Sequence, residues 1–361
     1  MDFSSEKISL TDSLEAVNDW FYDQGWTDGL PIIPPTPERV EKLLAWTDRA
    51  PQDELGAMPP KYGIVTIEKL AINAVMAGCV PEYFPVVIAA VEALLEEQFN
   101  LYAVQSTTHP CAPLLILNGP IARELGVNAR YNAFGQGWRP NATIGRAIRL
   151  VLLNIGGGAP GLLDRATQGQ PGKYSYCVAE NEAENPWTPL HVERGFSAET
   201  STVTVCGAEG PHNINDHVSS AAPGILATIA STMAGMGSNN AYAFGEPILA
   251  LGPEHTEILA RDGVTKDDIR NYVFQHARVL RSLWEQGGMF GMGISDDLFP
   301  GETALPLIRK PEHLMIIVAG GPGRHSCWMP TFGAMTRSVT RAITLKDGTP
   351  AKSVQDFRRG Q

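Results

Sequence analysis

Three short apolar runs set the architecture that the chain predicts. They read Pro113-Leu-Leu-Ile-Leu-Asn-Gly-Pro120, Pro247-Ile-Leu-Ala-Leu-Gly-Pro253 and Met315-Ile-Ile-Val-Ala-Gly-Gly-Pro322. Consecutive apolar residues of this length suit a strand covered on both faces, as in a parallel sheet flanked by helices. Gly permits a sharp exit from the strand, and Pro opens the next helix where its missing N–H costs nothing. Such a junction leaves free helix N–H groups at the carboxyl end of the strand. That is an anion site, placed where open α/β sheets bind ligands.

The first two runs sit inside longer segments that repeat. Pro85-Val-Val-Ile-Ala-Ala-Val-Glu-Ala-Leu precedes the first run, and Ala122-Arg-Glu-Leu-Gly-Val127 follows it. Pro223-Gly-Ile-Leu-Ala-Thr-Ile-Ala-Ser-Thr-Met precedes the second, and Ile258-Leu-Ala-Arg-Asp-Gly-Val264 follows it. Each unit predicts helix, loop, buried strand, Gly-Pro and helix, with a further helix over 142–154 or 266–278. The expected fold is therefore α/β, an internal duplication of strand–Gly-Pro–helix units forming mostly parallel sheet flanked by helices. The expected halves are 63–200 and 201–361. The copies differ at 128–141, where the first inserts a loop containing Phe134-Gly-Gln-Gly-Trp-Arg-Pro140. Its glycines allow close approach, and its arginines (Arg130, Arg139) can clamp a carboxylate.

Residues 1–62 predict an attached arm. Asp12 can cap a helix through Leu14, Val17 and Phe21, and Gly25 with the Asp28-Gly29 turn stops it. Leu30-Pro-Ile-Ile-Pro-Pro35 is extended, because proline fixes φ and biases its predecessor away from helix. Thr36 and Pro37 open a second helix over 38–46, and the proline-punctuated 50–61 reads as a linker. Trp20, Phe21 and Trp26 suggest that the arm packs on the body or on another subunit, so a homo-oligomer is expected.

Composition narrows the functional classes. The 361 residues are 43% hydrophobic and 19% charged, and 36 Gly with 27 Pro imply plentiful loops. A formal charge of -11 argues against a nucleic-acid partner, which needs clustered Lys and Arg. The apolar stretches are too short to span a membrane, and the polar, acidic start lacks the regions of a signal peptide. A cytoplasmic protein is expected. Five cysteines, odd in number, widely spaced and without a CxxC pair, predict neither a disulfide framework nor a zinc ribbon.

Dinucleotide, P-loop, hydrolase-elbow and HExxH fingerprints are absent, and the His191-Val-Glu193 pair lacks the PCxxC of zinc deaminases. Four segments carry candidate chemistry. Gly320-Gly-Pro-Gly-Arg324-His325-Ser326-Cys327 would place an anion-binding Arg, an acid–base His and a hydroxyl or thiol at a strand's carboxyl end. Gly210-Pro-His212-Asn-Ile-Asn-Asp216-His217 offers acid–base groups or metal ligands. Cys79, just before a Pro-started helix, is the cysteine whose pKa such a helix would lower. Thr107-Thr-His109-Pro-Cys111 sets an imidazole two residues from a thiol. Arg139, Arg146, Asn118, Ser326 and His109 are the expected substrate-holding groups.

Several ordered motifs carry a resemblance. They are Trp26-Thr-Asp-Gly-Leu-Pro31, Pro34-Pro-Thr36, Met76-Ala-Gly-Cys-Val-Pro-Glu-Tyr-Phe-Pro85, Thr107-Thr-His-Pro110, Asn118-Gly-Pro120 and Asn141-Ala-Thr-Ile-Gly-Arg146. The chain resembles a poorly characterised bacterial family found beside, or fused to, UGSC-type (seleno)protein domains. It has no UGSC tetrad of its own. The resemblance implies thiol-linked chemistry with a redox partner protein and assigns no catalytic residue.

Together these readings predict a lyase-type enzyme acting on a small, carboxylate-bearing anion between the two halves. Acid–base or thiol groups would come from His325, Arg324, Cys327, Cys79, His212, Asp216 and His217. Two alternatives stand beside it. One is a metal-dependent hydrolase or lyase using a divalent ion on His109, His212 and His217. The other is a non-catalytic scaffold subunit of a thiol or selenol redox system.

Overall fold

The structure, a computed structural model, describes residues 3–288, 299–333 and 335–358. The arm forms helices α1 (Leu14–Asp23) and α2 (Pro37–Leu44), the latter opened by Thr36 and Pro37 as expected. Ser13, not Asp12, caps α1. The expected linker instead contains strand β1 (Glu54–Met58), which pairs antiparallel with β2 (Gly63–Thr66). Its prolines flank the strand and leave the ladder donors intact.

The first layer of helices is α3 (Ile67–Ala77), α4 (Phe84–Leu94), the short α5 (Leu101–Ser106) and, after strand β3 (Ala112–Asn118), α6 (Pro120–Glu124) and α7 (Arg139–Asn154). Strand β4 (Cys177–Ala179), helix α8 (Leu190–Glu193) and strands β5 (Thr202–Ala208) and β6 (His212–Asn215) follow. The second layer comprises α9 (Ala222–Met233), α10 (Asn239–Ala243) and, after β7 (Ile248–Leu251), α11 (Pro253–Arg261) and α12 (Lys266–His276). A small ladder of β8 (Arg278–Leu280) and β9 (Ala304–Pro306) frames α13 (Arg281–Gln286). Strands β10 (Met315–Val318), β11 (His325–Met329) and β12 (Val339–Ala342) complete the described elements.

Among the described residues, two four-stranded sheets form the centre, ordered β12-β5-β3-β4 and β10-β7-β11-β6. Each contains one parallel pair, β3 with β4 and β7 with β10, and its other pairings are antiparallel. This corrects the expectation of a mostly parallel sheet. The apolar runs are buried on both faces, but the covers differ. Leu115 and Leu117 of β3 face α3, α4 and α7, whereas Leu114 and Ile116 face the other sheet. Likewise Leu249 and Leu251 of β7 face the second helical layer, and Ile248 and Ala250 face the first sheet. A continuous apolar run reports burial on two sides without saying what lies on either. The layers run helix, sheet, sheet, helix.

The chain crosses between the sheets twice. After β5 it enters β6 on the edge of the second sheet, and after β11 it enters β12 on the edge of the first. Strands β5 and β12 of the first sheet thus lie beyond the boundary expected at residue 200. At the Gly-Pro junctions the physical demand on glycine is close approach. A Cβ on Gly119 would meet Ser201 Cα and Thr200 O at 2.7 Å, and one on Gly252 would meet His325 O at 2.0 Å. The start of the antiparallel neighbour strand lies across each junction. The third Gly-Pro opens no helix: Pro322 lies in the loop between β10 and β11.

The arm is clamped to the body by Arg146, whose guanidinium holds Asp28 with two hydrogen bonds of 2.8 Å. It also donates to the carbonyls of Leu30 and Pro31. Asp28 is almost wholly buried there, so removing the cation strands a desolvated carboxylate at a cost of about 3 kcal/mol. Arg146→Ala should release the arm. Limited proteolysis should then cut near residues 25–35 many times faster than in the wild type, with the body remaining resistant.

Candidate functional site

Five of the candidate residues, Asp216, His217, Arg324, His325 and Ser326, meet at the carboxyl edge of the second sheet. Strand β11 runs antiparallel to β7, so its first residue lies beside the end of β7, and β6 ends against it with Asn215 opposite His325. Loop residues leaving β6 and β10 are thereby brought to one place. His217 Nε2 lies 3.1 Å from His325 Nε2, with the rings nearly perpendicular and their centres 4.9 Å apart. Both rings are exposed. His325 Nδ1 bonds Asn213 Oδ1 at 2.9 Å. A carboxamide oxygen only accepts, so Nδ1 carries the proton and Nε2 of the neutral ring presents a lone pair.

Arg324 binds the sheet edge together. Its Nη1 donates to the carbonyls of His217 and Ser219 at 3.2 Å, and its Nε lies 3.7 Å from Glu254. Asp216 is a turn-forming residue. Burial raises its carboxyl, but hydrogen bonds from Ser219, Thr228 and Val218 outweigh that and bring it to about 2. It is a permanent anion that shapes the loop carrying His217, and it is committed to those donors.

Beneath the pair sits His255, which sequence reasoning missed. It is fully buried in the first turn of α11. Its Nε2 bonds the Asp216 carbonyl at 3.1 Å, and its Nδ1 bonds Ser326 Oγ at 2.8 Å. The carbonyl accepts only, so Nε2 is protonated and the Ser326 hydroxyl donates to Nδ1. The Gly252 N–H in turn donates to Ser326 Oγ at 3.0 Å. The second junction's free amide is therefore satisfied within the chain. The signal available was a histidine two residues after the Gly252-Pro253 junction; nothing local tied it to Ser326 or Asp216.

The other candidates lie elsewhere. At the first junction the anion position is filled by the chain itself. Glu182 accepts from the Gly119 N–H and Asn118 Nδ2, and pairs with Arg123. Asn118 also donates to buried Glu180. His212, opposite Trp328 at the start of β6, is remote from His217 along the strand. His109 pairs with Glu209 at 2.7 Å beside Phe332, at the far end of β3. His109, His212 and His217 thus do not form one ligand set, and among the described residues no group of three His, Cys, Asp or Glu could hold an ion.

Cys79 donates to the Thr143 carbonyl, and burial pushes its thiol up to about 12. Cys327 faces the core between the sheets and is likewise pushed up by burial to about 12. Neither supplies a thiolate near neutral pH. Arg139 donates to the Gly78 carbonyl, and Arg146 holds the arm. The inserted loop does reach the site: Gly320 N donates to Ala129 O, and the Tyr131 ring packs against Gly321. A surface depression of about 500 Å³ lies by Arg281 and Pro300 and is lined by none of the candidate residues.

Fold and site define an α/β protein of two face-packed mixed sheets, with a histidine-bearing loop cluster at one strand edge. No protein-family model matches the chain, and no curated protein does. No helix among the described residues is long and apolar enough to cross a membrane.

Burial lowers the folded-state pKa of His255 below its unfolded value of about 6.5. The stability contributed by the neutral ring is therefore complete above pH ~6.5 and is lost as pH falls through the lower, folded-state value. His255→Ala should destabilise by about 2–3 kcal/mol at pH 7.5, because Ser326 and the Asp216 carbonyl lose their partner. Urea unfolding at pH 7.5 and 5.5 should show the gap to wild type narrowing at the lower pH. A constant gap would mean that His255 does not titrate on unfolding.

Proposed function

We propose that the protein is a lyase-type enzyme that moves a proton on a small carboxylate-bearing substrate at the carboxyl edge of the second sheet. The observation that carries this reading is the exposed His217–His325 pair. With His325 Nδ1 held by Asn213, the Nε2 lone pair of His325 faces the Nε2 of His217. One imidazole can take a proton while the other shares it, which is what a general acid–base group needs near neutral pH. Arg324, which bonds the His217 and Ser219 carbonyls and lies 3.7 Å from Glu254, puts a partly engaged cation next to the pair for a carboxylate, and Tyr131 from the inserted loop lies over Gly321.

Comparison of the two sheets supports the same place. We read them as an internal duplication, since both have the same sequence of strand senses about a Gly-Pro junction. Superposing Gly119 on Gly252 puts Val203 on Cys327 through the two registers, and hence Ser201 on His325. The same registers put Leu345 on His217 and Ala122 on His255. His217 and His325 have no histidine counterpart at Leu345 and Ser201 in the other half, so the exposed pair is a departure from the repeat. The resemblance to the family beside UGSC-type domains adds a partner protein as the source of any thiol or selenol, because Cys79 is buried, Cys327 is partly so, and burial pushes both thiols up to about 12.

The test is proton exchange. Small mono- and dicarboxylates incubated with the protein in D₂O should show enzyme-dependent deuterium uptake or elimination by proton NMR. His325→Gln and His217→Gln should each slow it by about 10²–10⁴-fold. Arg324→Gln should chiefly raise KM. Turnover that survives both histidine substitutions would sink the assignment.

A further inference from the structure

We infer that the chain pairs with a second copy of itself, each copy laying the outer face of helix α1 on the Tyr62–Tyr102 surface of the other. The inference is independent of the histidine edge and uses a part of the chain to which the proposed function gives no task.

Helix α1 carries an apolar pattern, yet it buries no residue. Phe21 leans on the core of the first half, while Leu14 and Tyr22 stand outside, 60% and 65% exposed and eight residues apart on one ridge. Trp26 and Leu30 continue the exposed surface beyond the helix. Among the described residues, seven of the 17 exposed large apolar side chains lie between positions 8 and 33. Single apolar residues are ordinary on a surface, whereas a concentration of them marks a contact. That segment also has the size of one side of a stable interface, about 20–30 residues.

Charge decides what covers this face. Glu15, Asp19 and Asp23 follow one another at four-residue spacing beside the ridge, all exposed. Like charges at this spacing repel, and Asp23 stands at the negative end of the helix dipole, where α1 has no basic residue. Residues 1–36 hold seven acidic residues and one lysine. The stripe is therefore complemented by cations from outside the arm. It disfavours arm-on-arm pairing, in which two such stripes would meet, and an anionic lipid surface alike.

The body offers the complement. Tyr62 and Tyr102 stack with ring centres 6.3 Å apart, and both are exposed. Tyr62 is held with a left-handed backbone at φ 57°, which a bulky residue adopts only under strain. Lys61 packs along Gly157, Gly158 lies against Gln105 of α5, and Thr167 N donates to Thr108 O. These contacts bring the loop with exposed Leu162 and Arg165 beside the tyrosines. Lys61 and Arg165 are exposed and have no ion-pair partner among the described residues. The arm and this surface flank the end of α7. Asn154 Nδ2 donates to Trp26 O at 3.1 Å, and Lys61 N donates to Gly156 O at 2.9 Å. Neighbouring surfaces of this kind can be exchanged by one twofold axis, each arm covering the other copy's tyrosines.

Sedimentation equilibrium of the full chain at pH 7.5 should give twice the 39.0 kDa chain mass at micromolar concentration. Glu15→Lys, Asp19→Lys and Asp23→Lys together make a basic-arm variant, and Lys61→Glu with Arg165→Glu makes an acidic-surface variant. Each alone should raise the dimer Kd at least ~30-fold, because like charges then meet across the interface. An equimolar mixture should recover a dimer near the wild-type Kd, since both of its arm–surface contacts join opposite charges. Leu14→Ser with Tyr22→Ser should raise Kd at least ~10-fold. All substituted side chains are solvent-facing, so circular dichroism of each variant should match the wild type. A wild type that is monomeric at about 100 µM would overturn the pairing. So would an acidic-surface variant that stays dimeric, or a mixture of folded variants that does not recover.

Discussion

The start of strand β11 can cross the second strand–helix junction only because residue 252 has no side chain. A Cβ there would overlap the His325 carbonyl oxygen. That approach lets the Gly252 amide reach Ser326, sets Ser326 on His255, and through the Asp216 carbonyl fixes the loop that carries His217. The same constraint operates at Gly119 with Ser201, where it closes the first sheet. Both sheets are held by one steric rule, and the candidate site is built on the second instance of it.

The face-to-face packing of the sheets explains the rest of the architecture. Each central strand is sealed by helices on one side and by the opposite sheet on the other, so polar groups appear mainly at strand ends. At the carboxyl edge of the first sheet those ends are self-satisfied, with Glu182 taking the position an external anion would use. At the second the junction amide is taken by Ser326 and the loop carbonyls by His255 and Arg324, while two imidazoles remain at the surface. The amide ladder crosses here too, since Asn181 N donates to Val318 O. The two edges are neighbours, and the loop inserted in the first half leans on the second.

The thiols show burial deciding chemistry. Cys79 stands before a helix, which by itself lowers a thiol's pKa, yet desolvation dominates and leaves it neutral. Cys327 lies two residues from His325 on the same face of β11, but that face turns into the core between the sheets. Proximity in sequence to a reactive-looking group did not translate into a shared environment.

Apolar periodicity, glycine and proline placement, and cap residues determined locally what they can determine: strands over the three apolar runs, helix starts after two Gly-Pro junctions, and the extended arm with its second helix opened by Thr36 and Pro37. The Arg324–His325 segment was also legible, because a strand end with Arg and His is visible in one line of sequence. Strand sense, the exchange of β6 and β12 between sheets, and what covers each face were not legible, since two-sided burial looks the same whether the cover is helix or sheet. Nor could local pattern bring His217 to His325, 108 residues apart, or seat His255 beneath them. Those pairings are set by antiparallel register and by a carbonyl resting against a glycine, which are properties of the folded chain.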